Sequence, residues 1–301
     1  MSLKAPQPLH TAPVAPPDTG HRARRWRLAV RRFSQNRAAV FGAVILVLFV
    51  LTALLAPWLA PYSPIEQDLA SRLQGPSGAH WLGTDDLGRD LLSRLIYGTQ
   101  VSLRVGVIAV ALALIAGTTL GLVAGYVGGK VDELVMRCLD VLLAFPSILL
   151  AILVVAILGP SLENAILAIA VVNIPVYARL LRAAVMGLVH LEFIEAARAG
   201  GAGSLQIVVK HILPNCLTPI TVQATLGIGT AILETAGLSF LGLGAQPPTP
   251  EWGTMLNDAR PYIRDAWWII TFPGLAIIVT VLGFNLLGDG LRDMLDPEGR
   301  R

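Results

Sequence analysis

The chain has 301 residues, of which 54% are hydrophobic and only 14% are charged, and its formal net charge is +3. A soluble domain has about 25% charged residues, so this chain has too few to cover a surface that faces water. Its mean hydropathy of +0.65 instead favours residence in a membrane. The two cysteines, Cys138 and Cys216, lie in or beside apolar runs and indicate neither a disulfide framework nor a metal cluster.

Residues 1–37 are expected to lie in the cytoplasm. The first part is rich in proline and poor in apolar side chains, a composition typical of disorder. The segment RARRWRLAVRRFSQNR then places Trp26, Val30 and Phe33 on one helical face, which predicts a basic amphipathic helix on the membrane surface; an unstructured basic tail is the alternative. Arginines before the first long apolar run hold this end on the cytoplasmic side. That run begins only at Ala38 and is too long for a cleavable signal peptide.

Six apolar runs are long enough to span a bilayer, which takes about 20 helical residues. The sequence therefore predicts an all-α fold, a polytopic membrane bundle of about six transmembrane helices with both termini in the cytoplasm. Residues 38–100 would form the first span and an outer-facing segment, 101–290 the core and 291–301 a cytoplasmic tail. The fifth run contains prolines, glycines and Glu234, so its limits are indistinct. The runs lie near 38–60, 101–125, 134–158, 163–186, 213–240 and 267–288.

A polar stretch before the second span is expected to form a helix on the outer surface. In GTDDLGRDLLSRLI, Thr84 can cap a helix, and Asp85 and Asp86 then lie in its first turn, where the helix dipole favours them. Leucines at 87, 91 and 95 would give this helix one apolar face. The segment as a whole is too polar to lie in lipid.

Glycines and prolines inside the spans predict how the helices pack and bend. Gly117, Gly121 and Gly125 recur at every fourth position of the second span, a pattern that lets two helix backbones approach closely. Pro146 lies inside the third span and Pro175 inside the fourth. Interior prolines bend membrane helices, in transporters and in inert bundles alike.

Few charged side chains lie in or near the spans. Asp140, Arg179 and Arg182 fall near predicted cytoplasmic span ends, so we expect them to be interfacial or paired. A charge at the bilayer centre costs about 2.5–3.5 kcal/mol on insertion scales. Glu234 lies deeper, and it either lines a pathway or has a structural role; the sequence leaves both open.

The sequence contains no motif for catalysis or for a cofactor. GYVGGKVDE has Gly129 and Lys130 but lacks the first glycine and the final Ser or Thr of a phosphate-binding loop. The histidines have no metal-binding spacing, and no serine or cysteine stands in a nucleophile elbow. We therefore expect no catalytic residue, no bound metal and no cofactor on this chain, and no nucleic-acid partner.

A charged, glycine-containing stretch separates the fourth and fifth spans, on the predicted cytoplasmic side. It reads EAARAGGAGSLQIVVKHILPN and runs from Glu195 to Asn215. Helix-compatible residues from about Leu188 are interrupted by glycines, and at Gly201 the chain can turn through left-handed backbone angles. The pattern predicts a short helix, a turn and a return to the membrane. Small alanines on its surface would let it seat in a groove of another protein; a plain loop resting on lipid headgroups is the alternative.

The spacing within this stretch resembles the EAA signature of permease subunits of bacterial binding-protein-dependent ABC importers. His211 stands where the signature has isoleucine, a departure that affects only packing. The resemblance implies a type I importer permease fold, in which the loop 188–212 contains a coupling helix that docks on the ATP-hydrolysing subunit. The positions that match are Glu195, Ala196, Ala197, Gly201, Leu213 and Pro214.

Four further stretches resemble the dipeptide/oligopeptide/nickel branch of this family, in particular its second permease subunit (DppC/OppC type). They cover residues 80–103, 131–152, 237–260 and 284–297. The resemblance implies alternating access in the bacterial inner membrane, driven by two ABC ATPase subunits that bind ATP and Mg. It also implies an external solute-binding protein and a homologous second permease subunit (DppB/OppB type), so that this chain forms half of the translocation pathway within a heterodimer.

Other classes of function remain open from the residues alone. A self-powered secondary transporter or channel would show internal repeats and a charge cluster at the midplane, whereas these spans hold one isolated deep carboxylate. A passive membrane scaffold would not explain the spacing from Glu195 to Pro214. Within the resemblance the cargo stays open among dipeptides, oligopeptides, glutathione, D-amino-acid dipeptides and nickel, and no residue is assigned to substrate contact.

Overall fold

The structure is a computed structural model, and it describes residues 33–295. Every element in that range is helical, which confirms the predicted all-α class. The predicted amphipathic helix lies outside the described residues up to position 32. The predicted tail, 291–301, lies outside them after Leu295, and its first five residues belong to a helix. The α-helices, numbered here in chain order, are α1 Arg37–Leu54, α2 Ala56–Leu59, α3 Leu91–Val127, α4 Gly129–Leu143, α5 Ser147–Leu158, α6 Leu162–Leu188, α7 Glu192–Ala199, α8 Ser204–Ile207, α9 Leu213–Phe240, α10 Trp252–Ala259 and α11 Trp268–Leu295.

Within the described range, 5 helices are long and apolar enough to cross a membrane, and one bent pair would bring the number to 6. They are α1, α3, α6, the continuous helix Ser204–Phe240 and α11. The predicted bundle of about six spans is confirmed. The fifth span, whose limits were indistinct in the sequence, ends at Phe240 as predicted and is preceded by helical residues from Ser204.

The predicted third span, 134–158, is not one helix. It consists of α4 and α5, which meet at an angle of 90° next to Pro146. Proline has no N–H for the helix ladder and disfavours helical backbone in the residue before it. A new helix, α5, begins after Pro146, and its Leu150 N–H donates a hydrogen bond to Pro146 O at 3.0 Å. Pro175, in contrast, lies in the interior of α6. Pro146 therefore breaks its helix instead of lying in the interior of a bent span.

The most extensive helix contact joins α3 to α6. A Cβ on Gly117 would lie 2.7 Å from Ile174 O, and one on Gly121 would overlap Ala178 O. Gly125 faces the same helix. Backbones this close require glycine, so the packing predicted from the repeated glycines is confirmed, with α6 as the partner. The largest buried core lies beside this contact, between α3, α5, α6 and α9.

The helix that enters the second span begins later than predicted. We expected a helix from Thr84, but α3 starts at Leu91 and its N-cap is Asp90. The Asp90 carboxylate accepts hydrogen bonds from the backbone N–H of Ser93 at 2.8 Å and from the Ser93 hydroxyl at 2.7 Å. The surface helix that the sequence predicts therefore corresponds to the first turns of α3 and is not a separate element.

Residues 84–90 form a turn because the Asp85 side chain bonds to nearby backbone. Its carboxylate accepts from the N–H groups of Leu87 and Arg89, both at 2.9 Å, and Gly88 adopts a φ of +73°. Short acidic side chains that bond local backbone in this way compete with helix formation. For this reason the prediction that Asp85 and Asp86 lie in a first helical turn was wrong.

A buried charge cluster holds this turn against α10. Arg89 Nε donates to Asp85 Oδ2 at 2.6 Å, and Arg94 Nε lies 3.3 Å from the same oxygen. Burial raises the pKa of Asp86, and burial also raises the pKa of Asp258 on α10. These two carboxyls bind protons more tightly in the folded state than in the unfolded state. Their contribution to stability is therefore fully present below their unfolded-state pKa values and is lost as the pH rises through their folded-state pKa values.

Gly121→Ala should destabilise the protein, whereas Gly187→Ala should not. A Cβ at Gly121 would overlap the Ala178 carbonyl and lie 3.0 Å from Leu181 Cβ, so two helices would have to separate; at Gly187, also in a helix, a Cβ meets nothing within 4 Å. Overpacking costs about 1–3 kcal/mol, while replacing an exposed helical glycine by alanine gains up to about 1 kcal/mol. The measurement is the thermal unfolding midpoint of the purified protein in detergent. Equal midpoints for the two variants would contradict this packing.

Candidate docking site on the loop between α6 and α9

A helix–turn–helix segment, residues 188–212, connects α6 to α9 at one end of the bundle, and we call it the docking loop. Its helix α7 is followed by Gly201, which has a φ of +85°. Ala202 N–H donates to Ala197 O at 3.0 Å, and Gly201 N–H donates to Arg198 O at 3.1 Å. This pair of bonds closes a helix end through a left-handed residue. The turn predicted at Gly201 is confirmed.

One side of the docking loop is buried against the bundle. Ile194 of α7 and Ile212 are 0% exposed, and Ile207 of α8 is 1% exposed. Burying a side chain of this size contributes about 1.5–3 kcal/mol, so the loop is fixed to the ends of α6 and α9. The hydrophobic cluster that does this consists of Leu181, Val185, Ile194, Ile207, Ile212, Cys216 and Ile220.

A widened helical turn joins the docking loop to α9. Residues 208–212 are π-helical, and Leu213 and Pro214 follow as the first residues of α9. In a regular helix the Pro214 ring would clash with the carbonyl of Lys210, and a wider turn relieves that clash while the chain stays helical. His211, which replaces the isoleucine of the signature, is half-buried in this turn. The loop is thereby continuous with a membrane-spanning helix.

The other side of the docking loop is exposed and partly apolar. Leu191 and Phe193 are 43% and 42% exposed, and Leu205 and Val209 are 78% and 51% exposed. A patch of exposed apolar side chains that is rimmed by polar ones is the kind of surface that binds a partner. No motif in the sequence points to these residues, although Leu205 and Val209 have the i, i+4 spacing of one helix face. Charged residues beside them in the chain are Glu192, Glu195, Arg198 and Lys210.

The residues that match the signature divide between two places in the structure. The first group lies on α7 and its C-terminal turn, and the second lies beyond the π-helical turn at the start of α9. The matched motif therefore marks both ends of the segment that leaves and re-enters the bundle. The exposed residues are Glu195, Ala196, Gly201 and Pro214, and the half-buried ones are Ala197 and Leu213.

Two ion pairs join α4 to α6 next to the docking loop. Arg179 donates to Asp140 at 2.5 Å, and Arg182 makes two hydrogen bonds to Asp132. The interfacial or paired state expected for Asp140, Arg179 and Arg182 is confirmed; Asp132 was missed because nothing in the local sequence indicates its partner. The Arg179 pair is half-exposed and stabilises little, while the Arg182 pair is more shielded and two-pronged. It holds α4 to the helix that leads into the docking loop.

Together these features define the class of protein. Long apolar helices packed through glycines form an integral-membrane bundle, and a short helix on a fixed base projects from one end, as in a membrane transport permease. The chain belongs to the family of binding-protein-dependent transport system inner membrane components, whose model matches residues 117–301. A second model, the N-terminal TM domain of oligopeptide transport permease C, matches residues 24–76.

The names of individual similar proteins agree with this family. The chain is 54% identical to the dipeptide transport system permease protein DppC of Alkalihalophilus pseudofirmus, over 99% of each chain. It is 54% identical to the protein of the same name from Escherichia coli K12, covering 88% of this chain and 91% of that one. In fold it is similar to a chain of the MetNI methionine ABC transporter in an inward-facing conformation, with a TM-score of 0.56 at 21% identity over 68% of this chain and 98% of that chain. The fold is thus that of a type I ABC importer permease.

Ile194→Ala should loosen the docking loop, whereas Phe193→Ala should not. Ile194 is 0% exposed and Phe193 is 42% exposed on the same helix. Emptying a buried isoleucine site costs about 2–5 kcal/mol, and the loss falls on the contacts that hold α7 to α6 and α9. The measurement is the rate of trypsin cleavage after the exposed Arg198 in the purified protein. If both variants are cleaved at the same rate, this cluster does not hold the loop.

Proposed function

We propose that this chain forms half of the translocation pathway of an ATP-driven importer of dipeptides or short oligopeptides. The cargo is inferred from relatives that are named dipeptide permeases and are 54% identical to this chain. An external solute-binding protein delivers the cargo, in keeping with the family to which the chain belongs. Glutathione and D-amino-acid dipeptides, which share the peptide or amide chemistry, are the alternative cargoes.

The observation that best supports the proposal is that the docking loop has one side buried against the bundle and one side exposed. Its buried side belongs to one hydrophobic cluster with α6 and α9, so a force on its exposed side moves these helices. Its exposed side offers apolar side chains, Phe193 and Leu205 among them, to a partner. On this proposal α7 is the coupling helix and seats in a groove of an ATPase subunit.

The matched residues then have separate tasks. The alanines keep the surface of α7 narrow enough to enter a groove, Gly201 sets the direction in which the chain leaves α7, and Pro214 fixes the start of α9. Coupling requires the loop to bind the two states of the ATPase with different affinity. The coupling residues proposed are Glu195, Ala196, Ala197, Gly201, Leu213 and Pro214.

The proposal places the docking loop and both chain termini in the cytoplasm. The support is the run of arginines before α1, among them Arg24, Arg25 and Arg27, because basic residues concentrate on the cytoplasmic side of a membrane. Two ABC ATPase subunits bind ATP and Mg and carry out hydrolysis, since this sequence has no phosphate-binding loop. A homologous second permease subunit completes the pathway as a heterodimer.

Purification of the tagged chain from its native membrane should recover an ABC ATPase and a second permease, and Leu205→Glu should lose only the ATPase. Leu205 is 78% exposed, so a carboxylate there leaves the fold intact but has to be desolvated in an apolar contact. Gln206→Glu, which adds the same charge at an exposed polar neighbour, is the control. The measurement is the ratio of ATPase to permease by quantitative mass spectrometry. A wild-type chain that purifies alone and still moves peptide would favour a self-powered transporter.

Gly201→Val should uncouple transport from ATP hydrolysis, whereas Gly203→Val should not. Both glycines have open space beside them, but Gly201 has a φ of +85° and Gly203 a φ of −70°. A β-branched residue is strained only at the positive φ. The strain is roughly 1–2 kcal/mol, which corresponds to about tenfold.

The measurement is peptide uptake and ATP hydrolysis by the complete complex in proteoliposomes. We expect uptake by Gly201→Val to fall about tenfold while ATP hydrolysis continues and the protein stays inserted, because the strain changes the angle at which α7 meets its partner. Uptake per ATP that equals the wild-type value would count against the assignment of this loop.

A further inference from the structure

A partly buried carboxylate lies on a helix that crosses the membrane. Glu234 belongs to α9, and its Oε2 accepts a hydrogen bond from Asn173 Nδ2 of α6 at 3.0 Å. The side chain is half-buried. The docking loop does not include this group, and the sequence left its role open between lining a pathway and supporting the structure.

Asn173 holds the carboxylate in a defined position. The same amide nitrogen donates to Ile169 O, one turn earlier in α6, at 2.9 Å, and this bond fixes the orientation of the amide. Its two N–H groups are then both used, one by the backbone and one by Glu234. Among the described residues, Glu234 Oε1 has no hydrogen-bond partner, so one oxygen of the carboxylate remains available.

The charge of Glu234 is not neutralised within the described part of the chain. Tyr177 of α6 is the titratable side chain that interacts with Glu234, and its hydroxyl lies against Gly227. A tyrosine is uncharged near pH 7. Asn173 supplies a hydrogen bond and no charge. A cation that pairs with this carboxylate therefore has to come from outside the described residues.

The surface around Glu234 differs from the surface that faces lipid. Thr230, one turn before it on α9, is a polar side chain that is exposed, and Gly237, one turn after it, presents no apolar side chain. The exposed face of α1 is apolar instead, with Phe41 and Leu48 each 58% exposed. Because a charge that faces lipid costs about 2.5–3.5 kcal/mol, the Glu234 face meets water or protein. The α1 face is the one that suits lipid.

We propose that Glu234, positioned by Asn173, binds the α-ammonium group of a peptide as it passes through the translocation pathway. This inference rests on the proposed function and names the part of the cargo that the pathway recognises. Every peptide with a free N-terminus carries an ammonium, whatever its side chains, so one carboxylate serves cargo of varied sequence. A carboxylate with one oxygen held and the other open accepts a charge-assisted hydrogen bond from such a group.

A cationic side chain of the second permease subunit is the competing occupant. The half-buried state of Glu234 and the exposure of Thr230 one turn away favour a small headgroup that arrives and leaves. A permanent ion pair between subunits would be part of the interface, and its loss would weaken assembly. Recovery of the second subunit therefore distinguishes the two occupants.

The test uses the complete complex in proteoliposomes, with alanyl-alanine as cargo and the loaded binding protein in excess. We expect Glu234→Gln to lower the uptake rate about tenfold below about pH 7, the factor that corresponds to one lost charge-assisted bond. Glu163→Gln, which removes an exposed carboxylate in the first turn of α6, should transport like the wild type. ATP hydrolysis and recovery of the second permease should be unchanged in both variants.

The pH dependence separates ammonium binding from a structural role. The α-amino group loses its proton at a pKa of about 7.7–8.0. The ratio of wild-type to Glu234→Gln uptake should therefore fall from about tenfold towards one as the pH rises through that range. The same binding protein serves both variants, so its own pH dependence cancels in the ratio.

Three outcomes would overturn the inference while leaving the proposed function intact. They are equal uptake by the wild type and Glu234→Gln, a ratio that does not change with pH, and loss of the second permease from the Glu234→Gln complex. If the wild-type complex accumulates no peptide in the presence of ATP, the proposed function and the inference both fail.

Discussion

The close approach of α3 and α6 is the contact on which the rest of the bundle depends. Lipid tails are as apolar as the helix surfaces, so helices associate in a bilayer through close van der Waals packing more than through the hydrophobic effect. Gly117, Gly121 and Gly125 bring the α3 backbone directly against α6. Because α6 leads straight into the docking loop, the base of that loop is attached to a helix that packs closely against α3.

The docking loop and Glu234 are attached to the same two helices. The loop packs on the ends of α6 and α9 through the cluster around Ile194, and the Asn173–Glu234 bond joins α6 to α9 inside the membrane. Sliding of one helix against the other, imposed on the loop by a partner, therefore displaces the carboxylate relative to the amide that holds it. The two proposals thus describe two ends of one mechanical connection, from ATPase to cargo.

Local chemistry explains which predictions from the sequence were confirmed. The apolar runs and the left-handed turn at Gly201 follow from properties of neighbouring residues, and both are present in the structure. The start of α3 was predicted wrongly because the Asp85 carboxylate bonds to backbone N–H groups in its own turn. At Pro146 the sequence indicated a bend, but the 90° break also depends on where α5 packs. The roles of Glu195 and the other signature residues stay predictions.

Sequence alone sufficed for the membrane bundle, the place of the docking loop and the turn at Gly201, because hydropathy, motif spacing and backbone preference act locally. Tertiary structure decided that Ile194 faces the bundle while Phe193 faces outward. It also paired Arg182 with Asp132, 50 residues away, and Asn173 with Glu234, 61 residues away. Contacts between such distant positions depend on where long helices cross and how they are rotated, and no pattern within a single helix carries that information.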